Sequence, residues 1–349
     1  MPRPLMLDRR RVLALAGATV LAAGWRGSAS ADDTLSHLSL LLGVAGTTLD
    51  TVGRALGDAA RQVQPNLQLD IQNAQSNTLL LKQCFDAAGR ADELCFLSGS
   101  VFYQAMRSTG ELGTQFSALG IVGALGTDRR ALYVATSTGI TNFAGLLTSS
   151  RRLIVPTPTA TSPSQTETLL INALTGARLK PVPGYGSAER KLALMSGEAT
   201  AAAGSIDTFD DLVQQGLLRP VLRINDAGPG APYADVPLLN AFARGPDAEV
   251  LTDLVQTAGA LKAIVVAPPG LSEAQLQHLS ALFDAAAAQA QTVQTTAYQP
   301  AEIVATGRAE VEKHVEVMRG KRQAVDAAFA RAVACGQSLA DGTACAAGA

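Results

Sequence analysis

The stretch Leu38-Ser-Leu-Leu-Leu-Gly-Val-Ala-Gly-Thr-Thr-Leu-Asp50 decides the fold. A short, mostly apolar run over 38–42 ends in glycine, which is typical of a buried strand. Apolar residues then recur at helical spacing over 52–63, behind Asp50 as the candidate helix N-cap. The stretch therefore predicts a strand, a loop and a helix, with the loop at the carboxyl end of the strand.

This unit recurs along the chain. Further predicted strands in the first half are 67–71 and 94–97, followed by helices at 77–88 and near 101–107. In a second series after Asp128, the predicted strands are 132–135, 153–155, 180–182, 200–203 and 218–224, and the predicted helices lie near 142–147, 165–174, 188–195 and 208–214. Strands alternating with helices predict an α/β protein whose largely parallel sheets are covered on both faces.

The last third predicts one more strand and two long helices. The strand is 263–267, and Ser272 with Gln275 forms a capping box at the start of an Ala-rich helix. A final helix is expected over 309–333. The Pro- and Gly-rich piece 226–237 is expected to be a surface connection.

Residues 1–31 have the three parts of an export signal. Arginines 9–11 precede a mildly apolar run over 12–23, and Ala29-Ser-Ala31 offers a small-x-small cleavage pattern. The apolar run is much shorter than the roughly 20 residues that span a bilayer. The arginines suit the twin-arginine route, with the general secretory route left open. We expect cleavage near Ala31 and a protein that works in the periplasm.

Removing this segment changes the charge of the protein. Five arginines and one aspartate are lost, which leaves 23 basic against 29 acidic residues. A nucleic-acid partner is therefore not expected. About 318 residues exceed one compact core, so we expect two lobes. We place the first at 32–130 with 255–349 and the second at 131–254, and we expect a monomer.

The four cysteines suit an oxidising compartment. Cys335 with Cys345 and Cys84 with Cys95 are the expected disulfides, the alternative for the second pair being small buried apolar side chains. A metal site is not expected, because there is no closely spaced cysteine pair and the three histidines are scattered.

Loops at the predicted strand ends are small, hydroxyl-bearing and almost uncharged. Ligands of open α/β sheets bind at these ends, and helix N-termini there favour anions. The segment 157–164 holds five Ser or Thr, more than helix capping alone requires, although capping remains the alternative. The candidate ligand-binding residues are Gly46, Thr47, Thr48, Ser98, Ser100, Thr159, Thr161, Ser162, Ser164 and Ser205.

Enzyme signatures are poor. Gly184-Tyr-Gly-Ser-Ala-Glu189 lacks the third glycine of a dinucleotide fingerprint, and there is neither a Walker loop nor a G-x-S-x-G elbow. We therefore expect no cofactor and no catalysis. An exported hydrolase is kept as an alternative.

The order of segments resembles the solute-binding proteins of tripartite tricarboxylate transporters, the Bug or TctC family. The resemblance covers about 38–325. It rests on the first loop closing on Asp50, Asn73 after the second strand, Tyr185-Gly-Ser-Ala-Glu189, Gly197 before Ala-Thr-Ala201, Gly216-Leu-Leu-Arg219, Tyr233-Ala-Asp-Val-Pro237 and Ala267-Pro-Pro-Gly270.

This resemblance implies a two-lobed periplasmic binding fold of type II, a Venus flytrap that closes on a small organic carboxylate or related anion and delivers it to membrane permease subunits. It also implies that loops 46–50 and 157–164 grip the carboxylate, and it adds Tyr185 to the ligand-binding residues. The loops depart from the family pattern, so the resemblance does not name the ligand. A TRAP-associated receptor and a periplasmic sensory binding protein are the alternatives.

Overall fold

The computed structural model describes residues 35–99, 101, 104–105, 110–225, 232–292 and 303–345. The predicted export signal and Ser100 lie outside these ranges. The strands are β1 His37–Leu42, β2 Gln68–Asn73, β3 Glu93–Ser98, β4 Gly120–Leu125, β5 Arg130–Ala135, β6 Leu153–Thr157, β7 Leu179–Pro183, β8 Ala201–Ser205, β9 Leu218–Arg223, β10 Ala263–Ala267 and β11 Ala305–Gly307. The helices with full bounds are α1 Thr48–Val63, α2 Asn77–Asp86, α3 Glu111–Ala118, α4 Phe143–Thr148, α5 Pro163–Thr175, α6 Ser187–Ser196, α7 Ile206–Gln214, α8 Ala248–Ala260, α9 Glu273–Gln291, α10 Arg308–Gly320 and α11 Arg322–Ala340.

The first lobe is built on a six-stranded sheet of order β11-β4-β10-β3-β1-β2. Side chains of β1 alternate between its two faces, because successive residues of a strand point in opposite directions. Leu41 joins a core cluster with Leu80 and Phe116 of α2 and α3. Helices α1 and α9 pack against each other elsewhere on this lobe. The predicted strand 38–42 is thus a buried strand with helices around it.

The second lobe combines strands β8-β5-β9 with the pair β6-β7. The Thr200 amide, just before β8, donates to Ile154 O of β6 at 3.1 Å, so the two groups of strands lie side by side. Alternate residues of β5 belong to two different hydrophobic clusters, one on each face of the sheet. Leu132 packs with residues of α5, whereas Tyr133 packs with Phe209 of α7. Helices therefore cover both faces, as predicted.

Strand direction differs from the prediction of largely parallel sheets. Among the strands of the described ranges, three of the eight pairings are parallel and five are antiparallel. The cause is the exchange of one strand between the lobes. β10 follows the second lobe in sequence yet lies between β3 and β4, and β5 follows β4 yet lies between β8 and β9.

The connection between β4 and β5 is hydrogen-bonded to the part of the chain that runs between β9 and β10. Asn225 Nδ2 donates to Asp128 O at 2.8 Å, and Asn225 Oδ1 accepts from the Arg130 amide at 2.9 Å. The Asp128 amide donates to Gly259 O at 2.9 Å. A Cβ at position 259 would overlap the Asn225 side chain, so this close approach requires glycine.

The C-terminal helix also differs from the prediction. Instead of one helix over 309–333 there are two, α10 and α11, which meet at Gly320 and Lys321. α10 packs on β4, whereas α11 packs on α5 of the second lobe. Gly336 lies so close to the Leu169 backbone that a Cβ would overlap it. The lobe boundaries stay a proposal, but α11 makes its packing contacts with the second lobe.

Four further elements were not predicted, namely the strands β4 and β11 and the helices α3 and α8. β4 is the sequence Gly-Ile-Val-Gly-Ala-Leu, whose glycines weaken a strand pattern. Gly123 is needed there because a Cβ would overlap the Phe283 ring of α9. Gly123 thus weakens the strand pattern in the sequence but allows α9 to pack closely on β4 in the fold.

Both expected cysteine pairs lie at disulfide distance, with Cα–Cα separations of 6.2 Å for Cys84–Cys95 and 4.7 Å for Cys335–Cys345. The first joins α2 to β3 and the second closes the end of α11. Within the described ranges, no helix combines the length and apolar character needed to cross a membrane.

Candidate functional site

The first candidate loop follows β1 and leads into α1. Gly46 has φ of +77°, and Thr47 is the N-cap, since its Oγ1 accepts from the Asp50 amide at 3.4 Å. Thr47 Oγ1 also donates to Val44 O at 2.7 Å. Thr48 is the first residue of α1. The side chain of Thr47 is exposed at the helix start, where N–H groups lack intrahelical partners.

Asp50 was predicted to be the N-cap, and this is wrong. It lies three residues after the cap, within the first turn, and its carboxylate reaches back to accept from the Gly46 amide at 2.8 Å. The same carboxylate accepts from Arg54 Nε at 2.8 Å and Asn73 Nδ2 at 2.9 Å. Asn73 Nδ2 also donates to Gly43 O, at 2.7 Å. Asp50 therefore holds the loop to the end of β2.

Burial would raise the pKa of Asp50, but hydrogen bonds from Asn73, the Gly46 amide and Arg54 outweigh it and hold the pKa below its ordinary value. A lowered pKa in the folded state stabilises the protein above the unfolded-state pKa of about 3.9. That stabilisation is lost as the pH falls through the folded-state pKa. The charge of Asp50 thus supports the loop at neutral pH.

Replacing Asp50 with Asn is expected to cost about 1.5 kcal/mol of unfolding free energy at pH 7, because hydrogen bonds to a charged acceptor are lost. Urea unfolding at several pH values from 7 down to 3 measures this. The cost should shrink below about pH 4, where Asp50 of the unfolded wild-type chain becomes protonated, and it should disappear as the pH falls through the lowered folded-state pKa. A difference between the two proteins that stays constant with pH would contradict this role of the charge.

Ser98 ends β3 at the same edge of the sheet as the first loop, because β1 is parallel to both β2 and β3. Its Oγ accepts from Asn77 Nδ2 at 2.8 Å. Asn77 is the first residue of α2 and was not among the predicted site residues. The sequence feature that could have identified Asn77 is its position directly after Ser76, a residue type that often caps helices. The first lobe thus brings Thr47, Ser98 and Asn77 to one edge.

The second candidate loop runs from β6 into α5. Ser162 is the N-cap of α5, accepting from the Gln165 amide at 3.4 Å, and Pro163 is the first helical residue. Ser162 Oγ donates to Thr159 O at 2.8 Å. Thr159 and Thr161 are exposed, with their hydroxyl oxygens 3.5 Å apart. These two hydroxyls are the ones the loop presents outward.

Ser164 has a different environment from the other candidates. It is 4% exposed, and its Oγ accepts from Arg190 Nη2 at 3.3 Å. The same hydroxyl lies 3.6 Å from the position of a Cβ at Gly204, so the start of α5 lies beside the end of β8. Ser205, at that strand end, begins α7 without a side-chain cap. Ser164 is thus directed to the interior, close to the end of β8 where Ser205 lies.

Tyr185 lies next to the same loop through its backbone, since its amide donates to Thr157 O at 3.1 Å. Its hydroxyl donates to the Glu198 carboxylate, and this hydrogen bond raises the pKa of Tyr185. In this structure the hydroxyl of Tyr185 is therefore bonded to Glu198 and not to the hydroxyls of the loop.

Three buried charged residues beneath the second loop were not predicted. Glu167 of α5 accepts from Arg130 Nε at 2.6 Å and Arg130 Nη2 at 2.9 Å. Arg190 of α6 donates to the backbone of β6 and β8. Such residues are hard to find from sequence, because each lies on a different element and charged side chains are most often exposed.

The arrangement suits an uncharged binding surface for an anion. Each lobe presents hydroxyls and helix N-terminal amides at the carboxyl ends of its strands, and no charged side chain belongs to 43–47 or 157–164. Helix N-termini stabilise negative charge through these amides and the helix dipole. Among the described residues, no group of His, Cys, Asp and Glu could hold a metal ion.

No family model and no curated protein matches the sequence. Solved structures do match. A TctC solute binding protein from Polaromonas shares 15% identity, with 88% of this chain and 98% of that chain covered and a TM-score of 0.55. MatC from Rhodopseudomonas palustris with bound malate shares 17%, with 85% and 98% covered and a TM-score of 0.61. The periplasmic binding protein BugD shares 13%, with 84% and 97% covered and a TM-score of 0.58.

These structures confirm the predicted fold class. The chain has the two-lobed α/β fold of TctC- and Bug-type periplasmic binding proteins, as the sequence resemblance implied.

Proposed function

We propose that this protein is a periplasmic receptor that binds a small organic carboxylate between its two lobes. The observation that carries the proposal is the pair of helix N-termini, of α1 and α5, each preceded by a hydroxyl-bearing loop without charged side chains. MatC, which has the same fold, was solved with malate, a dicarboxylate. A receptor of this kind binds its ligand unchanged and requires no cofactor.

The ligand-binding residues of the proposal are those that the loops and strand ends provide. In the first lobe they are Gly46, Thr47, Thr48, Ser98 and Ser100. We add Asn77 to this proposal, because its Nδ2 donates to Ser98 Oγ. In the second lobe they are Thr159, Thr161, Ser162, Ser164, Tyr185 and Ser205. Closure of the lobes would complete this set around the ligand, because each lobe offers only half of it.

We further propose that the closed receptor delivers its ligand to the membrane subunits of a tripartite tricarboxylate-type permease. This step needs only a difference between the open and closed shapes that the permease can recognise. The export signal expected at 1–31 supports this proposal, because it would bring the receptor to the compartment where such a permease collects solutes.

Calorimetry and thermal unfolding of the chain from Asp32 onward test the proposal. The panel would contain malate, succinate, adipate, citrate and glutamate. A ligand present at 100 times its Kd should add about 2.7 kcal/mol to the unfolding free energy. If no carboxylate of the panel raises the unfolding temperature, the proposal fails.

The loop hydroxyls allow a sharper test once a ligand is found. Thr161→Val keeps the shape of the side chain and removes the hydroxyl, so we expect affinity to fall about tenfold or more, as for one hydrogen bond to a charged group. Thr148→Val is the matched control, because Thr148 is also exposed but ends α4. Equal affinities of the two variants would exclude Thr161 from the site.

A further inference from the structure

Arg190 lies under the second candidate loop. It is 5% exposed and belongs to α6, yet its guanidinium reaches three acceptors on other elements. Nε donates to Pro156 O at 3.0 Å, and Nη2 donates to Ala203 O at 2.7 Å and to Ser164 Oγ at 3.3 Å. Pro156 is the penultimate residue of β6, and Ala203 lies two residues before the end of β8. The guanidinium therefore spans the floor of the loop.

The charge of Arg190 has no anionic partner at hydrogen-bond distance in the part of the chain that the structure describes. Its acceptors are two carbonyls and a hydroxyl, and its Cζ lies 4.9 Å from the centre of the Phe209 ring. The nearby carboxylate of Glu167 is held by Arg130, which also contacts Asp128 at 2.7 Å. Arg190 is thus a buried cation whose direct hydrogen-bond partners are all neutral, while the charges of Glu167 and Arg130 act on it from nearby.

A buried cation of this kind is costly, because removing a charge from water is opposed by several kcal/mol unless an anion approaches. Burial, with the nearby Arg130, lowers the pKa of Arg190 to about 10. The group nevertheless remains protonated at neutral pH. The fold therefore maintains a positive charge behind a loop that itself carries none.

We infer that Arg190 is the positioning residue of the second-lobe half of the site and the fixed positive charge that makes loop 157–164 select a ligand carboxylate over a neutral group. The inference rests on the proposed function. Arg190 itself is assigned no contact with the ligand, because its Nε and Nη2 are engaged by the Pro156 and Ala203 carbonyls and by Ser164 Oγ. Its charge acts through these buried groups, where the effective dielectric is well below that of water.

Affinity measurements on two variants test this. Arg190→Met removes the positive charge. Arg190→Lys keeps the charge but replaces the planar guanidinium, which reaches three acceptors, with a single ammonium group. The probes are malate, as the dianion, and malamide, its neutral analogue. Lys191→Met is the matched control, since Lys191 is the next residue, partly exposed, and paired with Asp211 at 2.9 Å.

We expect Arg190→Met to weaken malate binding by about 10- to 100-fold, as for one unit charge acting at short range in a low dielectric. Binding of malamide should change by less than about threefold, and Arg190→Lys should recover most of the malate affinity. Lys191→Met should bind like the wild type. If malate is not a ligand, the carboxylate found in the panel and its amide replace this pair.

Two results would overturn the inference. One is a folded Arg190→Met protein that keeps wild-type malate affinity or loses malate and malamide affinity equally, which would make Arg190 a purely structural clamp. The other is an Arg190→Lys protein as weak as Arg190→Met. If Arg190→Met does not fold, Arg190→Lys alone tests the inference. A loss of malate affinity above about tenfold in Arg190→Lys would then contradict the proposed role of the positive charge. A wild-type protein that binds no carboxylate would instead refute the proposed function, and this inference with it.

Discussion

Replacing Glu167 with Gln is expected to lower the free energy of unfolding by about 3 kcal/mol. Removing one partner of a buried ion pair typically costs about 3–5 kcal/mol, because the other charge stays buried without compensation. Glu167 has a side chain only 1% exposed, and Arg130 one that is 11% exposed. The low end of the range applies since Asp128 still contacts Arg130 after the substitution.

The position of the Arg130–Glu167 pair explains why its loss should affect more than the two hydrogen bonds between these residues. Arg130 begins β5 directly after the connection from β4, and Glu167 lies in the second turn of α5, after the candidate loop. The pair therefore ties α5 to the segment before β5. We expect the Gln variant to lose ligand affinity as well as stability.

Urea unfolding of three proteins provides the measurement and its control. The double variant Arg130→Met, Glu167→Leu removes both charges and should be less destabilised than Glu167→Gln, because replacing a whole buried pair with apolar residues is often nearly neutral. A double variant that is clearly less stable than the single one would show that the pair itself, not the unpaired charge, sets the cost.

Removal of the Cys84–Cys95 disulfide is expected to cost about 3 kcal/mol or more. Its cysteines are 11 residues apart in sequence, and closing a loop of that size restricts the unfolded chain by about this amount. Both sulfurs are also fully buried between α2 and β3. The variant Cys84→Ala, Cys95→Ala therefore loses packing in addition to the crosslink.

The second disulfide offers a matched control within the same chain. Cys335 and Cys345 are 10 residues apart, so the unfolded chain is restricted almost equally. Cys345 is only half-buried at the end of α11, and less packing is lost there. Urea unfolding should rank the Cys84, Cys95 variant below the Cys335, Cys345 variant in stability. Equal losses would show that loop closure alone accounts for both.

Local features of the sequence predicted the elements well. Short apolar runs became β1, β3 and β10, and Ser272 with Gln275 formed the predicted capping box at α9. The helix predicted near 165–174 became α5. These features depend on residues within one helical turn or one strand, so each is decided by neighbours in sequence.

The same local reasoning failed at Asp50 and in the last third of the chain. Aspartate suits both the N-cap and the first turn, and only the hydrogen bonds to Gly46 and Asn73 distinguish the two. The helical pattern continues across Gly320, so the break between α10 and α11 becomes visible only when the two helices pack on different lobes.

For the candidate site, the sequence by itself determined which loops carry hydroxyls, that helices start directly after them, and that their side chains bear almost no charge. The tertiary structure decided which of those hydroxyls face outward and which are used inside. It also decided strand direction, because β5 and β10 each join the sheet of the other half of the chain. Above all, it brought Arg190, Arg130 and Glu167 together beneath one loop. Buried charges require partners, and those partners come from elements far apart in sequence, so only folding can assemble them.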